Sequence, residues 1–203
     1  MKKGFIVIVL SVSLSESLSA ASWTPPQEIT VGTPERNVTS VYDATTNNLV
    51  ALWVSSSAPH DNFYSLSTNN GASWQAAAPL NSSIANSVTN VFGANDTAHG
   101  VLVATWAGNN ANTPATSVVS TNGGSTWGTL QQAGSAATNV YVTYEPGRSQ
   151  LFAVWGNENS PFSPEGAIST NGGTSWGTPV QISTIPTLND ALLLMILPRG
   201  ASS

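Results

Sequence analysis

Three near-identical octets recur along the chain, and they constrain its fold more than any other feature of the sequence. They read STNNGASW at 67–74, STNGGSTW at 120–127 and STNGGTSW at 169–176. The octets begin 53 and then 49 residues apart. A fixed period near fifty residues indicates one supersecondary unit that is stacked several times.

Two further motifs repeat with the octets. LVALW ends at Trp53, LVATW at Trp106 and LFAVW at Trp155, and each tryptophan lies 14 residues before the serine that opens the next octet. A Thr-x-Val motif followed by an aromatic residue begins at Thr39, Thr89 and Thr138. The unit therefore contains several elements in a constant order.

Each unit is predicted to form four short strands, A to D, separated by turn residues. In the first unit we expect strand A near 38–43, B near 49–54, C near 62–67 and D near 74–80. The nearly continuous apolar run of LVALW is typical of a strand that is covered on both faces. No stretch has a helical period over ten residues. An all-β fold built from four-stranded propeller-type blades follows, with three full repeats plus partial blades.

The octet contains residue types that a tight turn requires. Its asparagine can bond to its own backbone, and its glycine can adopt positive φ. The Ser and Thr hydroxyls can bond back across the turn, and the tryptophan can bury its ring between sheets. None of these tasks needs a substrate, so we expect a structural role for twelve octet residues: Ser67, Asn69, Gly71, Trp74, Ser120, Asn122, Gly124, Trp127, Ser169, Asn171, Gly173 and Trp176.

These octets resemble the Asp-box, or BNR repeat, S-x-D-x-G-x-T-W of sialidases and related β-propellers. The match holds at the serine, glycine and tryptophan positions, whereas Asn69, Asn122 and Asn171 replace the aspartate. The resemblance covers about residues 22–185 and implies a sialidase-like propeller, usually six-bladed. It also implies that the box is a turn between strands C and D, away from the catalytic pocket.

Strand alternation places the D–A and B–C loops on the face opposite the octets, where the resemblance puts an active site. Six residues there are candidates for ligand contact: Glu35, Arg36, His60, Asp61, Glu158 and Glu165. A sialidase-like enzyme would need an arginine cluster for the substrate carboxylate, and only Arg36 lies in these loops. A general glycosidase needs two carboxylates, for which Asp61 and Glu158 are one pair. No catalytic residue is assigned. His60 and His99 fall in different sets of loops, so no metal site and no cofactor is predicted.

Composition limits the classes of partner and site that the chain can have. The net charge of −5 and the five Lys and Arg residues argue against nucleic acid. The absence of cysteine excludes disulfides and zinc–thiolate sites. Residues 1–21 read as a signal peptide, with Lys2 and Lys3, a short apolar run and small residues before a cleavage point after Ala21. We therefore expect a secreted, periplasmic or cell-surface protein whose mature chain has no membrane span.

The repeats do not fill a six-bladed ring. Residues 22–30 resemble 175–183 and are predicted to be a terminal strand D that closes a blade. Residues 186–203 are an atypical tail that matches a fourth unit poorly. The chain could be a fragment of a longer propeller, which we favour, or it could pair with a second copy, or it could form an open stack. The leading function is a non-catalytic module that binds glycan or protein. The alternatives are a sialidase-like glycoside hydrolase or its remnant, and an inert gene fragment.

Overall fold

Three separate sheets make up the described part of the chain. The computed structural model describes residue 29 and residues 35–57, 61–80, 88–108, 113–159 and 163–184. The first sheet contains β1 (Glu35–Asp43), β2 (Asn48–Ser55), β3 (Asn62–Ser67) and β4 (Ala78–Pro79). The second contains β5 (Val88–Asp96), β6 (Val101–Gly108), β7 (Ala115–Ser120) and β8 (Gln131–Gly134). The third contains β9 (Ala137–Glu145), β10 (Gln150–Asn157), β11 (Pro164–Ser169) and β12 (Val180–Gln181).

The strands of each sheet are antiparallel and follow one another in chain order, so each sheet is a four-stranded meander. The predicted all-β architecture of four-stranded units is confirmed. Strand C of the first unit has the predicted limits, and strand A begins at Glu35, earlier than predicted. The prediction for strand D was too long, because β4 is only Ala78–Pro79 and Trp74 belongs to the turn before it. The described segments contain no helix long and apolar enough to cross a membrane.

The backbone register corrects the phase of one predicted motif. Thr39 pairs with Leu52, whereas Phe92 pairs with Thr105 and Tyr141 with Val154. These partners are the fourth residues of LVALW, LVATW and LFAVW, so Thr39 is equivalent to Phe92 and Tyr141. Matching Thr39 with Thr89 was wrong by three residues. The motif that recurs in phase is Asn-Val at 37–38, 90–91 and 139–140.

β2 and β6 are buried on both faces, as their apolar runs predict, whereas β10 is only half-buried at Phe152 on one face. From β2, Val50, Leu52 and Val54 pack in one cluster with residues of β6 that include Leu102 and Trp106. The opposite face of β6 contributes Val103 and Ala107 to clusters with β10, among them Leu151, Ala153 and Trp155. The second sheet therefore lies between the first and the third.

Each octet is the turn between the third and fourth strands, and a short hydrogen-bond network fixes its shape. In the second octet, Asn122 Oδ1 accepts from Ser120 Oγ and from the Thr126 backbone N–H, both at 2.9 Å. Ser120 Oγ accepts in turn from the Gly124 N–H at 2.9 Å. Gly124 has φ +88°, which favours glycine. The same bonds recur in the first and third octets.

The second and third octets also contact the preceding sheet. Asn48 Nδ2, on the first sheet, donates to the carbonyl of Gly123 at 2.9 Å. Trp176 Nε1, in the third octet, donates to Ser117 Oγ on the second sheet at 2.9 Å. Trp127 meets Tyr64 of the first sheet edge-on, with ring centroids 5.9 Å apart. The octets thus join neighbouring blades as well as turn the chain.

Candidate ligand-binding face

The two ends of the sheets carry different structures. The octets and the turns after β1, β5 and β9 share one end, because Gly123 contacts Thr46 of the first turn and Gly172 contacts His99 of the second. We call this end the octet face. The β2–β3, β6–β7 and β10–β11 loops lie at the opposite end, which we call the loop face. The strand alternation in the sequence predicts this division.

The acidic groups on the octet face cap turns. Asp43 accepts the N–H of Thr45 at 2.9 Å, and Asp96 accepts the N–H of His99 at 3.1 Å. Glu145 accepts the N–H of Arg148 at 2.8 Å. His99 Nδ1 lies 2.8 Å from Asp96 Oδ2, and an Arg148 nitrogen lies 3.7 Å from Glu145. The burial of Asp43 and Asp96 is therefore explained by turn geometry.

The loop face holds the predicted ligand residues that the structure describes. Glu35 is the first residue of β1, and Arg36 follows it. The Arg36 side chain lies outside the described part of the structure. Asp61 precedes β3, and its carbonyl accepts the N–H of Ser55 at 3.0 Å. His60 lies outside the described residues.

The two glutamates of the third sheet have different surroundings. Glu165 Oε1 accepts a hydrogen bond from Asn157 Nδ2 at 2.6 Å. The Glu158 backbone N–H donates to the carbonyl of Ala136 at 2.7 Å, and Glu158 Oε2 is buried without a hydrogen-bond partner. Asp61 belongs to the first sheet and Glu158 to the third, so the second sheet separates them. The carboxylate pair stays a prediction.

A row of asparagines crosses the loop face where sequence reasoning placed no site. Asn37, Asn90 and Asn139 occupy equivalent positions on β1, β5 and β9, and each lies at a register shift in its strand. Asn37 Nδ2 donates to the carbonyl of Thr89, and Asn90 Nδ2 donates to Asn139 Oδ1 at 2.5 Å. We call these three residues the asparagine row. Strand bulges of this kind redirect side chains and are common beside binding sites.

Several polar atoms near the row are buried and lack partners. They are Thr89 Oγ1 and Asn90 Oδ1, and both polar atoms of the Asn62 side chain are likewise unpaired on β3, two strands from Asn37. Asn90 is 6% exposed and Asn62 is fully buried. Buried polar groups are normally paired, so an unpaired cluster needs water or a ligand to complete it.

The residues that precede the three asparagines differ in charge between the sheets. Arg36 precedes Asn37, but Thr89 and Thr138 occupy the equivalent positions before Asn90 and Asn139. Threonine therefore stands in the second and third units at the position that arginine occupies in the first. In the described ranges, no three His, Asp or Glu side chains are grouped as metal ligands.

The sequence contained a signal for the row. Asn-Val recurs at the spacing of the octets, 53 and then 49 residues. The similarity of Thr39-Ser-Val-Tyr42 to the later Thr-x-Val motifs hid it, because that match set the first unit three residues out of phase. Counting back from Trp53 would have found it.

Comparison with known proteins supports the fold. No family model matches the chain, and no curated protein matches it. Among solved structures, a Hadza microbial sialidase has a TM-score of 0.51 at 14% identity and covers 72% of this chain. A Dyadobacter fermentans protein of unknown function has a TM-score of 0.50 at 17% identity and covers 66% of this chain.

A third structure is an N-acetylgalactosamine deacetylase from F. plautii in complex with blood group B trisaccharide, with a TM-score of 0.50 at 13% identity over 74% of this chain. This chain spans 38%, 38% and 53% of the three solved chains, respectively. The similarity establishes a sialidase-like all-β fold.

Proposed function

We propose that the protein is an exported, non-catalytic module of sialidase-like fold that binds a glycan at its loop face. The asparagine row carries this proposal. It presents amides and hydroxyls on the inner strands of three adjacent sheets, and amides and hydroxyls bind sugar hydroxyl groups without bond cleavage.

The unpaired atoms support a ligand that both donates and accepts. Thr89 Oγ1 can donate and accept, and Asn90 Oδ1 can accept. Both atoms are almost inaccessible to solvent, so a sugar hydroxyl could pair with them only after a local rearrangement of the row. Each pair would replace an unsatisfied buried group, which costs about 1–3 kcal/mol when left alone.

Sialidase chemistry has less support. A sialic acid carboxylate is held by charge-assisted, bidentate contacts with arginine. The second and third sheets have Thr89 and Thr138 where such contacts would be built. The proposed glycan is therefore recognised through its hydroxyls.

A glycosidase, or the remnant of one, is the second candidate, and Glu158 is the observation that favours it. Its Oε2 is buried without a hydrogen-bond partner, and glycosidases act through carboxyl groups. A second carboxylate opposite it would be needed. The bond from Asn157 engages Glu165, which leaves Glu158 as the residue to test for turnover.

A glycan array with two matched variants tests the binding proposal. Asn90→Ser removes the inter-sheet amide bond at the loop face. Asn95→Ser removes a bond of the same type at the other end of β5, where Asn95 Nδ2 donates to the Tyr42 carbonyl at 2.9 Å. We expect wild type and Asn95→Ser to retain the same glycans and Asn90→Ser to lose those that are bound at the loop face. Equal binding by all three proteins would show that the asparagine row does not bind the glycan.

Export is part of the proposal and depends on the sequence of residues 1–21. N-terminal sequencing of the protein from the medium or periplasm tests it. A chain that begins at Ser22 supports cleavage after Ala21, whereas an intact Met1 in the cytosolic fraction alone contradicts it.

A further inference from the structure

A groove on the octet face lies between the second and third octets. Its volume is about 280 Å³. Seven side chains that line it belong to the second unit or to the third octet: Val119, Thr121, Thr126, Trp127, Thr129, Gln131 and Thr174. Its size is close to the lower end of small-molecule pockets, which begin near roughly 300 Å³. It therefore suits one small ring.

The asparagine of the octet changes the chemistry of this groove. Asn122 Oδ1 accepts the Thr126 backbone N–H, which fixes the amide orientation, so Asn122 Nδ2 donates to Thr126 Oγ1 at 2.7 Å. A hydroxyl has one proton and two acceptor positions. Because Thr126 accepts from the amide, its own proton remains available. An aspartate at position 122 would instead take that proton.

Other groups in the groove complete a mixed set of donors and acceptors. Thr129 Oγ1 accepts from Gln131 Nε2 at 3.3 Å and keeps its proton. Thr174 Oγ1 donates to the Asn171 carbonyl at 2.9 Å and keeps its acceptor positions. None of the lining residues is ionisable. The groove is thus matched to an uncharged ligand with several hydroxyls.

The groove is a property of the second unit and not of the repeat. Gln131 corresponds to Ala78 in the first unit and to Val180 in the third. Thr129 corresponds to Ala76 in the first unit. Packing of the octet turn does not require Gln131, because the first and third units form the same turn without it, and the first unit also forms it without a threonine at the position of Thr129.

The tryptophan of the groove is held differently from its counterpart. Trp176 is anchored by the bond from its Nε1 to Ser117 Oγ. Tyr64 occupies the equivalent of Ser117 on the first sheet, and Trp127 Nε1 has no hydrogen-bond partner. The Trp127 ring is thus positioned by aromatic packing against Tyr64, and Trp127 is among the residues that line the groove. Apolar ring surface flanked by hydroxyls and amides is suited to a sugar ring.

We infer that this groove binds a neutral hexose unit, as a second carbohydrate site on the face opposite the asparagine row. Trp127 packs against the apolar face of the sugar. Thr126 and Thr129 donate to its hydroxyl oxygens, while Thr174 and the Gln131 side-chain carbonyl accept from its hydroxyl protons. The inference does not depend on the function proposed for the loop face.

Amide-resolved NMR titration of the whole protein tests the inference. The probes are the methyl glycosides of galactose, glucose and mannose, with N-acetylneuraminic acid as the charged counterpart and glycerol as the acyclic polyol. We expect at least one neutral glycoside to shift the amide signals of Thr126, Thr129 and Thr174 to saturation. Glycerol and the acid should not do so.

Matched variants establish where the probe binds. Gln131→Val places the third unit's residue in the groove and should weaken binding about tenfold, the effect of losing one good hydrogen bond. Thr129→Ala, at an exposed position, should also weaken binding. Thr178→Ala, at the corresponding position of the third unit, should leave it unchanged.

Three results would overturn the inference. They are the absence of a saturable shift with every neutral glycoside, an equal response to glycerol, and unchanged affinity in both Gln131→Val and Thr129→Ala. A response to N-acetylneuraminic acid alone would also contradict it, because the groove contains no cation. Loss of array binding in Asn90→Ser with an intact groove response would support the loop-face proposal and would not bear on the groove.

Discussion

Replacing Gly124 with alanine should destabilise the protein by two separable effects. Gly124 has φ +88°, and an alanine there costs about 1–2 kcal/mol of backbone strain. Its Cβ would also lie 2.4 Å from Val50 Cγ2 on the preceding sheet. Val50 is fully buried and β-branched, so it cannot rotate away cheaply. Overpacking of this kind costs about 1–3 kcal/mol. The total expected loss is about 2–5 kcal/mol.

Gly71→Ala is the matched control, because it isolates the backbone term. Gly71 has φ +81°, but the nearest atom to its added Cβ is Leu49 Cδ1 at an ordinary 3.6 Å. We therefore expect a loss of about 1–2 kcal/mol. Both variants are compared with wild type by equilibrium unfolding in urea. The free energies of unfolding are obtained by linear extrapolation, and the slope of the free energy against urea concentration is compared between the three proteins.

The difference between the two variants measures the contact between an octet and the preceding sheet. We expect Gly124→Ala to lose about 1–3 kcal/mol more than Gly71→Ala. Equal losses would refute the reasoning that octets join neighbouring blades. They would mean that the octet acts only as a local turn.

Substitutions at three further positions test individual parts of the account. Asn122→Asp should change the free energy of unfolding by less than about 0.5 kcal/mol, because the acceptor oxygen remains. Asn122→Ala loses these hydrogen bonds and should lower the free energy of unfolding by about 1–3 kcal/mol. Both variants are measured by unfolding in urea. Gly134→Ala would place a Cβ 2.2 Å from Trp155 Cζ2 and should lower stability by about 1–3 kcal/mol, with a change in near-ultraviolet circular dichroism. Asp96→Ala removes the acceptor of two backbone N–H groups and the partner of His99. It should raise the rate of hydrogen exchange in the turn after β5 and lower the free energy of unfolding by about 1–3 kcal/mol. Unchanged exchange in that turn would remove the capping role.

The sequence was most informative where one repeat could be checked against another. The apolar run through Leu52 and Trp53 predicted a strand covered on both sides, and both residues are buried. Strand D was the weakest prediction. Trp74 looks like a strand residue by its type, but it belongs to the turn. Propensity alone does not distinguish these two roles.

Features that depend on contact between units could not be read from one unit. The sequence around Gly124 does not indicate that Val50, which is 74 residues earlier in the chain, lies against it. The direction of the bond between Asn122 and Thr126 likewise depends on the backbone N–H that fixes the amide. The asparagine row was predictable in principle, but a short local match at Thr39 competed with the true spacing.

The most direct test of a binding module is whether a bound glycan is left intact. Wild type and Glu158→Gln are incubated with fluorogenic methylumbelliferyl glycosides, the sialoside included, under conditions in which the array shows saturable binding. The account predicts no release of fluorophore above the uncatalysed rate by either protein. Release by wild type that Glu158→Gln abolishes would show that the loop face is an active site.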